Sequence, residues 1–238
     1  MVPFPKCYKQ SSKPSKFCPG CGYGIMFKML GQIIDEMHLQ DKTVLGLDIG
    51  CSLLAWDYFD FATAHTHHGR TTATSVGYKI ARPEKLVFAL MGDGGGYAIG
   101  LQNLIHAAIR NNPITAIVLN NTCYAMTGGQ LAPTTLEGEI TSTTPEGRNA
   151  EKTGAPFFGP ELIRSVANQK SYIARASISQ PILLKKYLKS AIEKQLNDNT
   201  FSFVEVLSIC PTNWKMDAKE SFEFNLKMQK IFPCKEFI

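Results

Sequence analysis

The run KLVFALMGDGGGYAIGLQNLIHAAIRNNPITAIVLNN, Lys85 to Asn121, decides the fold. It opens on KLVFALMG (85–92), an unbroken apolar stretch that predicts a buried strand ending in glycine. A glycine-rich turn follows. AIGLQNLIHAAIRNN (98–112) spaces its apolar residues as a helix does and stops at Asn-Asn-Pro. ITAIVLNN (114–121) is a second branched apolar strand, broken by two asparagines. Strand, helix, strand in that order lays the two strands parallel.

The same alternation extends outward. GYGIMFKMLGQIIDEMHL (22–39) reads as a helix and TVLGLDIG (43–50) as a strand. SYIARASI (171–178) and FSFVEVLSI (201–209) are strands. PILLKKYLKSAIEKQL (181–196) between them is an amphipathic helix with proline in its first turn. The expectation is an α/β fold: one domain over 1–238 with a doubly wound, mostly parallel sheet. It opens on a Pro/Lys/Ser arm (1–16). Ligands in such sheets sit beyond the carboxyl ends of strands. The Gly-rich turn and the Asn pair both fall there. Residues 122–160 carry eight threonines, six glycines and four prolines with no period. A loop that long is functional or disordered; it reads as a cover for a site or an interface.

Of the 238 residues, 44% are hydrophobic and 19% charged, as in ordinary globular proteins. The net charge of +5 comes without a dense basic cluster, which argues against nucleic acid. No apolar run approaches the ~18 residues of a membrane span, and the amino-terminal arm lacks the apolar segment of a signal peptide. A cytoplasmic protein with no membrane association is expected. Seven cysteines, an odd number, argue against a disulfide framework and toward metal or redox chemistry.

Asp93 poses the chemical question. Glycine turns between strand and helix cradle phosphates through bare N–H groups, and a carboxylate there would repel them unless a cation intervened. Mg²⁺ suits that place: it takes hard oxygen ligands and is shared between a few protein groups and phosphates. Asp93 offers a carboxylate, Asn120-Asn121 an amide oxygen, and Gly94 and Gly95 their N–H groups. Gly92 to Asn121 resembles the thiamine diphosphate motif, which opens with GDG and closes with NN about thirty residues on. That resemblance implies Mg²⁺ on Asp93, Asn121 and the backbone carbonyl of Cys123. YAMTGGQ (124–130), with Thr127, extends the match.

FCPGCG sets Cys18 and Cys21 in a tight turn, while Cys51 (DIGCS) and Cys210 (SICPTNW) each follow a strand. In a parallel sheet all four could converge. Zinc and 4Fe–4S both accept four thiolates, and spacing leaves the choice open. The adjacent thiamine chemistry favours a redox cluster, which can remove electrons one at a time.

Together CPGCG, IGCS, GDG…NN, MTGGQ and CPTNW resemble the β subunit of 2-oxoacid:ferredoxin oxidoreductases, from about Phe17 to Trp214. The loop APTT…STTPEGR is most like the 2-oxoglutarate and branched-chain types. The resemblance implies a 4Fe–4S cluster on Cys18, Cys21, Cys51 and Cys210. It implies a thiamine diphosphate site drawing on Cys51, Ser52, His68, Gly92, Asp93, Gly94, Gly95, Asn121 and Thr127. The implied reaction is coenzyme A-dependent oxidative decarboxylation of 2-oxoglutarate, a branched-chain 2-oxoacid or pyruvate, with ferredoxin as acceptor. An α subunit would supply the glutamate that activates thiamine, so the chain alone would be inactive; γ and ferredoxin-like δ subunits are further partners. His68 and Arg70, in HGR, would contact diphosphate or substrate, against an equal reading as structural residues. Ser52 is alternatively a helix cap.

Two positions depart from the family pattern: Gly95 replaces the second acid of GDGD, and Ala125 replaces a glycine. Cys7 and Cys234 read as simple thiols, and His106 as a packed or partner-facing residue. KKYLK (185–189) and the carboxyl-terminal lysines read as a solvated helix face, with ferredoxin docking as the sharper alternative. Two other functions compete: a non-catalytic, zinc-stabilised module with a degenerate thiamine diphosphate fold, and a thiamine-dependent decarboxylase without redox chemistry.

Overall fold

The computed structural model describes residues 4–9 and 12–237. Residues 1–3, 10 and 11 of the predicted arm lie outside them. Helix α1 (Gly22–Glu36) leads to strand β1 (Thr43–Leu47), strand β2 (Ala62–His65), helix α2 (Thr71–Ala81) and strand β3 (Leu86–Gly92). Helix α3 (Leu101–Ile109), strand β4 (Thr115–Asn120) and the short pair β5 (Cys123–Tyr124) and β6 (Gln130–Leu131) come next. Then follow α4 (Ala150–Thr153), α5 (Gly159–Val166), β7 (Tyr172–Ser177) and α6 (Pro181–Asn197). The order closes with β8 (Ser202–Leu207), α7 (Pro211–Trp214), α8 (Ala218–Ile231) and β9 (Lys235–Glu236).

One sheet runs β2-β1-β3-β4-β8-β7-β9. It is parallel throughout except for the β7–β9 pair, and β3 registers against β4 as Phe88 to Thr115 through Gly92 to Leu119. Side chains alternate across a strand, and β3 shows the result. Leu86, Phe88 and Leu90 join a core with Met26, Leu30, Leu184 and Leu188 of α1 and α6. Val87, Ala89 and Met91 face Leu104 and Ala107 of α3 on the other side. This double burial explains why β1, β3, β4 and β8 read as continuous apolar runs.

The predicted helix over 22–39 ends at Glu36, and His38 enters the left-handed region at φ 55°. The predicted 98–112 helix divides into a π-turn at Gly95–Ile99 and α3. The sequence reading missed β2, whose residues are half or fully exposed at the sheet edge. It also missed α2, whose TTATSVGYKIA has few apolar residues to carry a period. Helix α8 was readable from its start: Asp217 and Glu220 form a reciprocal capping box.

The described part of the arm packs onto α1. Asp35 accepts from the Lys6 and Cys7 N–H groups at 2.5 and 3.0 Å, and Cys7 is fully buried. Among the described residues no helix is long and apolar enough to cross a membrane.

Candidate active site

The chain reverses direction in the sheet between β1 and β3. Beyond the carboxyl ends of β1 to β4 lies a cavity of about 190 Å³. Its walls are Ile49–Cys51 after β1, His68 after β2, Gly92–Gly95 and Ile99 after β3, and Asn121 with Cys123–Thr127 after β4. Tyr23 of α1 completes it. This is where a ligand belongs in an open parallel sheet.

Asp93 is only 2% exposed. Its Oδ1 accepts from the Gly94 N–H at 2.9 Å and its Oδ2 from the Thr134 hydroxyl at 2.6 Å. Burial outweighs these bonds and pushes the carboxyl up to about 7. The Gly94 N–H is thus turned to Asp93 itself, whereas the sequence reading gave it to a phosphate. A Cβ on Gly94 would run into the Tyr124 ring, so a side chain there displaces Tyr124 from the cavity wall.

Asn121 and Cys123 flank Thr122, which sits at φ 60°, rare for a β-branched residue. Three bonds hold it there: its N–H to Asn120 Oδ1 at 3.1 Å, and its hydroxyl to Asn121 O at 2.8 Å and Glu139 Oε1 at 2.6 Å. Asn120 in turn donates to Glu205 Oε1 at 3.2 Å. Glu205 is fully buried, ion-paired with the fully buried Arg175, and accepts from Tyr97 Oη at 2.7 Å. The Arg175 guanidinium is also bidentate on Glu161, at 2.8 and 2.6 Å. From the other side Trp214 Nε1 donates to Asn121 O at 3.1 Å and Asn213 Nδ2 to Ala125 O at 2.8 Å. A buried carboxylate and an asparagine on a strand end held from both sides, with glycine backbone between strand and helix, suit a hard divalent cation shared with a diphosphate.

The four predicted thiols do come together. Cys18 and Cys21 share a turn closed by Cys21 N–H on Cys18 O at 3.0 Å. Gly22 N–H then docks on Ile209 O at 3.0 Å, beside Cys210. Cys21 is raised to about 11 and Cys51 to about 12, first by burial and then by their neighbouring cysteines. Cys210 is lowered to about 6, chiefly by the Cys123 thiol beside it. All four are free thiols. Among the described residues, no three His, Cys, Asp or Glu side chains converge on a single ion. One tetrahedral zinc, bound at about 2.3 Å, needs its sulfurs about 3.8 Å apart. A cubane instead binds each thiolate at a different iron and tolerates wider spacing. Four neighbouring thiols are a donor set that either centre accepts.

Tyr23, assigned no role from the sequence, stands between the two centres. It lines the cavity, and its hydroxyl is raised by burial and then by Cys51, Asp93, Cys21 and Cys210. Thr134 and Asp48 were missed as well. Only Asp48 carried a signal, an acid followed closely by glycine at a strand end, as at Asp93.

Other predicted residues are placed as follows. His68 and Thr127 line the cavity. Arg70 is exposed beside it, Nη1 3.3 Å from Ile99 O. Ser52 is buried, donates to Asp48 O at 2.8 Å and takes no part in the wall. His106 is exposed on α3. Lys185 and Lys189 pair with Glu36 at 2.5 and 2.8 Å. The 122–160 segment is built around Arg148, 4% exposed, whose guanidinium donates to the carbonyls of Ala132, Pro133, Thr135, Gly154 and Ala155.

A model of the thiamine pyrophosphate enzyme C-terminal, TPP-binding domain matches residues 48–206. The 2-oxoglutarate synthase subunit KorB of Archaeoglobus fulgidus is 42% identical over 229 residues, covering 92% of this chain and 82% of that protein. The ketoisovalerate oxidoreductase subunit VorA of Methanothermobacter thermautotrophicus is 39% identical over 225 residues. That match covers 93% of this chain and 47% of VorA, so the chain spans about half the length of that relative. A solved 2-oxoglutarate:ferredoxin oxidoreductase from Magnetococcus marinus, with 2-oxoglutarate, coenzyme A and succinyl-CoA bound, superposes with a TM-score of 0.80. It is 28% identical and covers 94% of this chain and 72% of its own. By its sheet, its glycine turn and this kinship, the chain belongs to the thiamine pyrophosphate enzymes, among the β subunits of the 2-oxoacid:ferredoxin oxidoreductases.

Proposed function

We propose that this chain is the cofactor-bearing subunit of an enzyme that oxidatively decarboxylates a 2-oxoacid, passing the acyl group to coenzyme A and electrons to ferredoxin. The observation that carries the reading is one cavity lined by Asp93, Asn121 and Tyr23 together with Cys51, one of the four neighbouring thiols. Asp93, Asn121 and the Cys123 carbonyl would hold Mg²⁺, with thiamine diphosphate on the glycine turn. Cys18, Cys21, Cys51 and Cys210 would hold a 4Fe–4S cluster. When bound, thiamine diphosphate supplies a ring that accepts the electron pair left by departing CO₂, and the cluster accepts electrons singly.

The chain's own residues bind and orient. Thr134 and the Gly94 N–H fix the Asp93 carboxylate. The Glu205–Asn120 bond and Trp214 fix the strand end that presents Asn121. His68 lines the wall as a donor for an anion. Among the described residues no carboxylate other than Asp93 lines the cavity, so the glutamate that thiamine activation requires is assigned to an α subunit. The exposed Ile99 and Met126 at the cavity, 51% and 44% exposed, give that partner an apolar seat. Names of relatives point to 2-oxoglutarate or ketoisovalerate as substrate class.

The test is anaerobic co-purification with the α subunit. We expect about four irons per chain and a broad iron–sulfur absorption. Asp93→Ala and Asn121→Ala should each lose retained thiamine diphosphate. A colourless zinc protein, or unchanged thiamine retention in both variants, would sink the proposal.

A further inference from the structure

Position 95 lies in the glycine turn that would hold the diphosphate, and it is glycine. The space that its side chain would take is already filled. A Cβ built on Gly95 would overlap Asp48 Oδ2, a carboxylate oxygen delivered from the end of β1, the neighbouring strand. Asp48 is 1% exposed. Its Oδ1 accepts from the Gly69 N–H at 2.8 Å and the Thr71 hydroxyl at 3.1 Å, which anchors the His68–Gly69–Arg70 loop. Its Oδ2, buried against the turn, has no hydrogen-bond partner among the described residues. Buried polar atoms are rarely left so. An orphaned acceptor this close to the glycine turn marks a place for the turn's own N–H groups, or for a water held with the ligand, to donate.

We propose that Asp48 is a positioning residue of the cofactor site: one carboxylate slot is shared by positions 48 and 95, and this chain fills it from 48. Oδ1 fixes the loop bearing His68, while Oδ2 offers the glycine turn an anionic acceptor that position 95 does not supply. The two strand-end loops that wall the cavity are thereby locked by one side chain. A second carboxylate at 95 would meet both steric overlap and like-charge repulsion. The inference rests on the reading of the cavity as a thiamine diphosphate site.

The experiment measures the thiamine diphosphate dissociation constant in the assembled α–β complex with Mg²⁺, with melting temperature of the cofactor-free complex alongside. Gly95→Asp alone should weaken binding about tenfold or more, because its side chain meets the Asp48 carboxylate in space and in charge. Asp48→Asn keeps the shape and so the fold; it should also weaken binding about tenfold without lowering the melting temperature in proportion. The double variant Asp48→Ala/Gly95→Asp moves the acid across the slot and should recover binding to within about threefold of the parent, which is strong coupling between the sites. Asp48→Ala/Gly95→Asn refills the volume without the charge and should not recover.

The proposal is overturned if Gly95→Asp binds like the parent, if Asp48→Asn is silent, or if the aspartate double variant is no better than the single variants. Equal recovery by the asparagine double would also overturn it, since volume alone would then suffice. Asp93→Ala in the same series separates the two readings: if that variant still binds, the cavity is not the cofactor site at all.

Discussion

The Thr134 hydroxyl stands 2.6 Å from Asp93 Oδ2, across 41 positions of sequence. Replacing it with an isosteric apolar group leaves a buried carboxylate oxygen unpaired. We expect Thr134→Val to lower stability by about 1–3 kcal/mol, read by urea unfolding, and to weaken Mg²⁺–thiamine diphosphate retention in the same preparation. Glu139 carries a pH effect. Burial raises its carboxyl to about 7, against about 4.3 for an exposed glutamate. The folded chain then holds a proton that the unfolded chain releases. The stabilisation is complete below about pH 4 and is lost as pH rises through 7. Asp93 and Asp48 shift the same way, so Glu139→Gln should make the decline shallower without abolishing it; an unchanged slope in pH-resolved unfolding would refute this. The sequence could place Asp93, Asn121, Cys51 and Cys210 at strand ends and Cys18 with Cys21 in one turn, because strand pattern and short spacing carry that much. Thr134 and Tyr23 were not, because their roles exist only through distant neighbours. Asp48 could have been noticed, yet its meaning depends on Gly95 lying beside it in space.

At the scale of elements, β1, β3, β4, β7 and β8 announced themselves by branched apolar runs, and α6 by its period and leading proline. β2 and α2 did not, since an exposed edge strand and a threonine-rich helix have little apolar pattern to show. The 122–160 segment had none either: its order comes from Arg148 gathering five carbonyls, a contact no periodicity encodes. Arg148→Ala should therefore speed amide exchange over residues 132–155 by roughly tenfold or more while leaving β3 and β4 protected. Uniform exchange across the chain would contradict that role. Glu205 joins β8 to β4 and β7 through buried bonds to Asn120 and Arg175. Removing it leaves Arg175 with Glu161 alone and takes the acceptor from Asn120 and Tyr97, and Glu205→Ala should cost about 3–5 kcal/mol in urea unfolding.

For the molecule as a whole, the cavity opens on exposed apolar side chains. Ile99→Asp or Met126→Asp should weaken assembly with the α subunit by roughly tenfold, the effect of one well-placed interface residue, as followed by sedimentation. Normal assembly of both variants would move the interface elsewhere. The flanks of the sheet bear on the same question. One ends in β2, only four residues long; the other is closed by β9, a two-residue antiparallel strand laid along β7. Neither flank offers a ladder long enough to template another chain and begin filament growth. Association is thereby steered away from sideways stacking, which leaves the strand-end loops to the proposed companion subunit.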